Sequence, residues 1–153
     1  MRKRKTPLHF PPQEKGIKPV IIYVTVCTDK RKRILCEDGI HNILLKAWND
    51  ANAWQIGRYL IMPDHIHLFC SPGKDEFVPI SQWIRFWKSV VSRSWPRPKY
   101  QPVWQKSFWD TQLRSEERYD EKWEYVLNNP VRAGLCAQSD DWPWQGELNI
   151  LEW

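Results

Sequence analysis

The chain reads as an α+β domain, an antiparallel sheet with helices packed on one face in a split βαβ arrangement. Three observations predict this. Residues 20–26, VIIYVTV, are β-branched and aromatic, as a buried strand requires. Residues 37–50 and 79–95 repeat apolar side chains at helical intervals. Further strand-like and helix-like runs complete the order strand, helix, strand, strand, helix, strand, helix. A length of 153 residues suits one domain. The expected organisation is a basic, proline-rich arm over residues 1–18 and a single domain over residues 19–153.

The elements can be justified in turn. After the first strand, Asp29-Lys30-Arg31-Lys32-Arg33 forms a charged turn, either solvated or in contact with nucleic acid. The first helix aligns Ile40, Ile43, Leu44 and Trp48 on one face. Residues 54–61 (WQIGRYLI) and 65–70 (HIHLFC) read as two strands separated by a turn or bend at Met62-Pro63-Asp64. Pro79 suits the first turn of the second helix. The apolar face of that helix is Ile80, Trp83, Ile84, Trp87, Val90 and Val91, leaving Arg85, Lys88 and Arg93 largely on the other sides. Residues 96–102 form a proline-punctuated loop and 108–113 (FWDTQL) a short fourth strand. Ser115 can cap a third helix whose first turn carries Glu116 and Glu117, opposing the helix dipole. That helix should end near Asn129, because Pro130 disfavours helical geometry in the residue before it.

Composition narrows the function classes. The net charge of +5 suits a polyanionic partner, either nucleic acid or an acidic membrane surface. No apolar run approaches the ~20 residues that span a bilayer, and the basic start, Met1 to Lys5, has no apolar stretch behind it, so neither a membrane anchor nor a secretory signal is expected. Cys27, Cys36, Cys70 and Cys136 form no Cys-x-x-Cys pair, which argues against a zinc knuckle and fits reduced thiols in a cytoplasmic protein. Eleven tryptophans exceed what a chain of this size ordinarily carries. They serve either the core or the stacking of unpaired bases.

The chemistry centres on His65-Ile66-His67. On a strand, residues i and i+2 share a face, so two imidazoles stand side by side while Ile66 turns to the core. Such a pair suits a divalent metal, although a His-x-His strand can also be a structural pair. Tyr125 and Asn129, four residues apart, share a face if the third helix reaches both. A carboxamide there can complete the metal site. The alternative is that Tyr125 packs on the sheet and Asn129 caps the helix.

The stretch Tyr59-Leu60-Ile61-Met62-Pro63-Asp64-His65-Ile66-His67-Leu68 resembles the His-hydrophobic-His signature of the single-tyrosine HUH transposases. Residues 103–110 (VWQKSFWD) and 113–117 (LRSEE) resemble the second conserved block of that family, and 122–135 (KWEYVLNNPVRAGL) its tyrosine helix. Asp141-Trp142-Pro143-Trp144 is similar to the tail motif of the REP-associated branch. The resemblance covers about residues 18–145, and the ordered set of four blocks is specific where His-x-His alone is not.

The resemblance implies a ferredoxin-like domain acting on single-stranded or hairpin DNA with Mg²⁺ or Mn²⁺. It implies His65 and His67 as metal ligands, Asn129 as the third ligand, and Tyr125 as the nucleophile that leaves a 5′-phosphotyrosine. Tyr119 is the rival nucleophile by type but falls outside the matched motif. For DNA binding we expect Arg85, Lys88 and Arg93 on the second helix, with Lys99, Lys106 and Arg114 near the edge of the site. Monomer and homodimer both stay open. Two other readings compete: a domesticated endonuclease that processes palindromic repeats, and a non-catalytic module that binds single-stranded DNA. A histidine-dependent phosphohydrolase unrelated to DNA would leave the tyrosine block without a role.

Overall fold

The computed structural model describes residues 20–73 and 77–152. The basic arm expected at residues 1–18 therefore lies outside the described residues. The elements follow the expected order: β1 (Ile21–Cys27), α1 (Asp38–Asp50), β2 (Trp54–Met62), β3 (His65–Pro72), α2 (Ile80–Arg93), β4 (Trp109–Leu113) and α3 (Glu116–Leu127). Two further elements, α4 (Asn129–Arg132) and β5 (Gln145–Glu147), were not foreseen. The five strands form one sheet in the order β4-β1-β3-β2-β5, with every pairing antiparallel. The α+β class and the split βαβ core are as expected.

Alternation along the strands divides the interior into two cores. Ile22, Val24 and Val26 of β1, with Ile66, Leu68 and Cys70 of β3, face α1 and α2. Ile21 and Phe69 join Leu60, Met62 and Leu113 on the opposite face, against Tyr119 and Val126 of α3. The expected packing of helices on one face thus holds for α1 and α2 and fails for α3. The reason is the pleat: β1 and β3 are apolar on both faces, so each face needs a cover. Because His65 and His67 have the parity of Phe69, they stand on the α3 face.

The tryptophans are mostly core. Trp48, Trp54, Trp83, Trp87, Trp95, Trp104 and Trp142 are buried, which favours packing over base stacking for these seven. Several of their indole N–H groups find carbonyls: Trp54 donates to Val78 at 2.6 Å, Trp83 to Ala51 at 2.7 Å and Trp104 to Lys88 at 3.1 Å, whereas those of Trp48 and Trp87 are buried without a partner among the described residues. Trp87 lies between Trp48 and Trp104, with ring centroids 5.7 Å from each and near-perpendicular planes. The tail is fixed by the same device. Trp142 donates to the Ile61 carbonyl at 2.9 Å, Trp142 and Trp144 meet edge to face, and this docking lays β5 along β2.

No helix among the described residues is long and apolar enough to cross a membrane. Removing the central ring should show how far the fold depends on the tryptophan stack. Trp87→Ala is expected to cost about 3–5 kcal/mol in denaturant unfolding, whereas Phe86→Ala, at a ring half exposed on the outer side of α2, should stay within about 0.5 kcal/mol.

Candidate metal and nucleophile site

The site is built on β1 and β3 where they pair. His67 lies opposite Thr25 and His65 opposite Cys27, so the two imidazoles project together from the α3 face. Their Nε2 atoms are 3.1 Å apart and the rings are perpendicular, with centroids 4.7 Å apart. His67 is buried, 7% exposed. Asn129 brings its carboxamide Nδ2 to 2.8 Å from His67 Nε2.

The surrounding hydrogen bonds fix which nitrogen carries each proton. A guanidinium is donor only, and Arg132 Nη2 lies 2.6 Å from Asn129 Oδ1. The Asn129 oxygen must therefore face Arg132 and its NH₂ must face His67. His67 Nε2 consequently accepts, and its proton sits on Nδ1, which donates to the Tyr23 hydroxyl at 2.6 Å. On the other ring, the Asp64 carboxylate lies 2.7 Å from His65 Nδ1, so that nitrogen donates and Nε2 again keeps its lone pair. Two unprotonated Nε2 atoms thus stand 3.1 Å apart, that of His67 accepting from the Asn129 NH₂.

Electrostatics hold both rings neutral. Burial pushes the His67 imidazolium down to about 3, with nearby His65, Lys122, Arg132 and Arg31 acting in the same direction. Burial also lowers His65, although its hydrogen bond to Asp64 opposes the shift. Burial alone would raise Asp64, but hydrogen bonds from His65 and Arg31 outweigh it and keep the carboxylate charged. Arg31 donates its Nε to Asp64 at 3.0 Å, from a backbone in the left-handed region with φ of 54°.

This donor set fits a divalent cation. At a metal–imidazole distance of ~2.1 Å, two nitrogens 90° apart around an octahedral ion lie about 3 Å from one another, close to the 3.1 Å between the Nε2 atoms. A carboxylate or hydroxyl behind each ring is the arrangement that fixes the tautomer of metal-binding histidines. Among the described residues no cluster of three His, Cys, Asp or Glu side chains could hold a metal. The group nearest the two rings, the Asn129 carboxamide, is outside those residue types.

The nucleophile candidates separate by exposure. Tyr119 is buried against Phe69, with ring centroids 4.9 Å apart. Tyr125 is 60% exposed. It borders a shallow cleft of about 300 Å³ with Thr111, Leu113, Arg118, Glu121 and Lys122. Arg132 covers its ring, with the guanidinium carbon 3.9 Å from the centroid, and Lys122 Nζ lies 5.8 Å from it. Ser115 caps α3 by accepting from Arg118 N at 3.1 Å, as expected. The helix stops at Leu127, and Asn128 turns the chain into α4. It is Asn128 that caps the α3 terminus, donating to the Glu124 carbonyl at 2.9 Å, which leaves Asn129 free to reach the histidines. The helix thus ends close to Asn129, as Pro130 predicts, and Tyr125 and Asn129 stand on different helices rather than on one shared face.

The basic residues divide into groups. Arg85, Lys88 and Lys106 line one cleft of about 550 Å³ between α2 and residues 104–108. Lys88, expected among the solvated cations, is buried and donates to the Gln105 carbonyl at 2.7 Å; burial lowers its ammonium to about 8. The aliphatic stem lies along the α2 core face and only the tip reaches the cleft, a placement that polarity patterning does not reveal. Arg93 is exposed and donates to Ser89 Oγ at 2.7 Å, and exposed Lys99 sits 5.2 Å from the Tyr100 ring centroid. Arg114 follows Leu113, which pairs with Ile21 at the opposite end of β1 from Cys27 and His65. Six residues at ~3.4 Å each put it about 20 Å along the sheet from the histidine end, next to Leu113 of the cleft that borders Tyr125. In the charged turn, Arg31 is held by Asp64 and Lys32 donates to the Tyr100 and Pro102 carbonyls.

Sequence reasoning passed over Tyr23, Asp64, Arg31 and Arg132 as parts of the site. Asp64 had a signal, since a carboxylate adjoining His-x-His can fold back on the first ring. Tyr23 had a weaker one, its parity on β1; neither arginine had any.

Known proteins resemble this chain in sequence and in fold. The sequence model of the family described as "Transposase IS200 like" matches residues 18–126, a span that includes His65, His67 and Tyr125 and stops short of Asn129. The chain is 25% identical over 107 residues to the REP-associated tyrosine transposase of Escherichia coli (strain K12). It is 31% identical over 96 residues to a Haemophilus influenzae protein provisionally given the same name. These matches cover 69% and 55% of this chain, but only 61% and 53% of those relatives. A solved structure of a REP-associated tyrosine transposase bound to a REP hairpin superposes with a TM-score of 0.70 at 23% identity, covering 87% of this chain and 79% of that one; it shows a common fold. The chain belongs to the IS200-like transposase family.

Proposed function

We propose that this transposase cleaves and rejoins single-stranded DNA next to a hairpin of the REP type, with Tyr125 as nucleophile and a Mg²⁺ or Mn²⁺ ion held by His65, His67 and Asn129. The observation that carries this reading is the pair of unprotonated Nε2 atoms 3.1 Å apart, with a carboxamide 2.8 Å from one of them. A purely structural histidine pair at that distance would place a proton between the nitrogens. The hydrogen bonds that the two Nδ1 atoms donate to Asp64 and Tyr23, and the Arg132–Asn129 couple, oppose that.

The bound ion supplies Lewis acidity, neutralising charge on the scissile phosphate. The remaining roles fall to the protein. Two neutral imidazoles and a carboxamide leave the ion its full charge, and imidazole nitrogen favours Mn²⁺ over Mg²⁺ in vitro. The Tyr125 oxygen forms a bond to phosphorus as the 3′ oxygen leaves, giving a 5′-phosphotyrosine and a free 3′-OH. Attack by a 3′-OH on that linkage reverses the step without ATP. Lys122 and Arg132, both beside the Tyr125 ring, place positive charge where the phosphate must sit. The cleft of Arg85, Lys88 and Lys106 is suited to the DNA backbone, and exposed Arg93 and Lys99 are further candidates for it. Arg114, next to Leu113 of the Tyr125 cleft, would serve DNA that runs past the nucleophile. The similarity to REP-associated relatives supports hairpin DNA as the partner and the bacterial cytoplasm as the place of action.

The test is covalent capture. With Mn²⁺ and a labelled hairpin oligonucleotide carrying a single-stranded flank, the wild type should give a protein–DNA band on a denaturing gel. Tyr125→Phe, His65→Ala and His67→Ala should abolish it, while Tyr119→Phe should retain it; a band from Tyr125→Phe would remove Tyr125 as nucleophile.

The suppressed basicity of His67 has a measurable consequence. In the unfolded chain this ring titrates near 6.5, while in the fold it stays neutral down to about 3. Between these values the unfolded state binds the extra proton, so stability is lost as pH falls through that window. In urea unfolding of metal-free protein between pH 6 and 4.5, the wild type should lose up to about 1.4 kcal/mol per pH unit more than His67→Asn. Equal slopes would show that His67 is not held neutral.

A further inference from the structure

Resting on the metal site just proposed, the geometry at Asn129 points to a role for Arg132. The Asn129 oxygen faces Arg132 at 2.6 Å and the amide nitrogen faces His67. A cation can be bound only by the oxygen, so the carboxamide must turn over for Asn129 to act as a ligand. Once turned, it would present its NH₂ to the guanidinium, donor against donor. Arg132 and a cation therefore cannot use Asn129 together. We propose that Arg132 is a positioning residue that holds Asn129 turned away from the cation until a DNA phosphate draws its guanidinium off.

Three features favour a phosphate as the group that releases it. Arg132 is exposed, so an incoming strand reaches it without unfolding the site. Its bonds in this state are to the neutral Asn129 oxygen and to the Tyr125 carbonyl, the latter at 2.8 Å. A phosphate adds a full negative charge and can take two parallel N–H bonds from the guanidinium, which a neutral carbonyl oxygen cannot match. The same guanidinium lies 3.9 Å from the Tyr125 ring centroid, so a phosphate that engages it sits beside the proposed nucleophile. Substrate arrival and completion of the ligand set become one event. Metal binding and DNA binding must then favour each other reciprocally, as any coupling free energy requires.

The experiment measures Mn²⁺ affinity by electron paramagnetic resonance, with and without a single-stranded hairpin oligonucleotide, subtracting the Mn²⁺ taken up by DNA alone. For the wild type, the oligonucleotide should tighten Mn²⁺ binding by about tenfold, within the usual range of such couplings. Arg132→Met should bind Mn²⁺ about as tightly without DNA as the wild type does with it, and DNA should add little. Asn129→Ala should bind weakly in both conditions. Arg132→Ala repeats the measurement should the methionine variant misfold. Equal wild-type and Arg132→Met affinities without DNA would overturn the proposal while leaving the metal site intact. Absence of Mn²⁺ binding in all variants, with or without DNA, would overturn the metal site and this proposal together.

Discussion

The organisation of the site follows from one constraint, two unprotonated imidazole Nε2 atoms held 3.1 Å apart, with the Asn129 NH₂ donating to that of His67. Left alone, two such rings would rotate or share a proton. They do neither because each is gripped from behind, His65 by Asp64 and His67 by Tyr23. The grip extends one layer further. Arg31 holds Asp64 from a left-handed backbone that a non-glycine residue adopts at a cost, and Tyr23 lies parallel to the His67 ring, 5.7 Å between centroids. The repulsion at the centre is thus offset by many bonds at the periphery, the condition under which a cation-binding site is preorganised.

That constraint gives meaning to features of the fold that otherwise look incidental. The pair must sit on a face where one ring can be buried, and β3 lies in the middle of the sheet, between β1 and β2. The face must also be covered by an element that can present a nucleophile, and α3 does so by crossing over Phe69 with Tyr119 and Trp123. Tyr119 is spent in this packing, and the tyrosine that stays accessible on α3 is Tyr125, nearly two turns later. The interruption at Asn128 is part of the same design. A continuous helix would carry residue 129 along the α3 axis, whereas the turn into α4 directs it back to His67.

Much of this was legible in the sequence, for identifiable reasons. The period-2 parity of His65 and His67 needs only a strand, and VIIYVTV and HIHLFC are strands by composition. The tryptophans of α2 announced their core face by their spacing, and Ser115 announced the start of α3. Helix periodicity tells that α3 has an apolar side but not which face of the sheet receives it, so its position opposite α1 and α2 had to be seen. β5 is Gln-Gly-Glu, with no strand pattern of its own; it pairs because Trp142 and Trp144 dock the chain beside β2. Lys88 was misplaced because a lysine can bury its stem and still reach a carbonyl. Asp64, Tyr23 and Arg132 act through contacts spanning 1 to 44 residues of chain, and the longer of these carry no local pattern.

The central claim is that both Nε2 atoms belong to one cation. Pulsed electron paramagnetic resonance of Mn²⁺ bound to histidine-labelled (¹⁵N) protein, with a hairpin oligonucleotide present, tests it most directly. The account predicts two coupled imidazole nitrogens in the wild type and one in each of His65→Ala and His67→Ala wherever Mn²⁺ is retained. Bound Mn²⁺ showing no histidine coupling, or a single one that survives both substitutions, would contradict it.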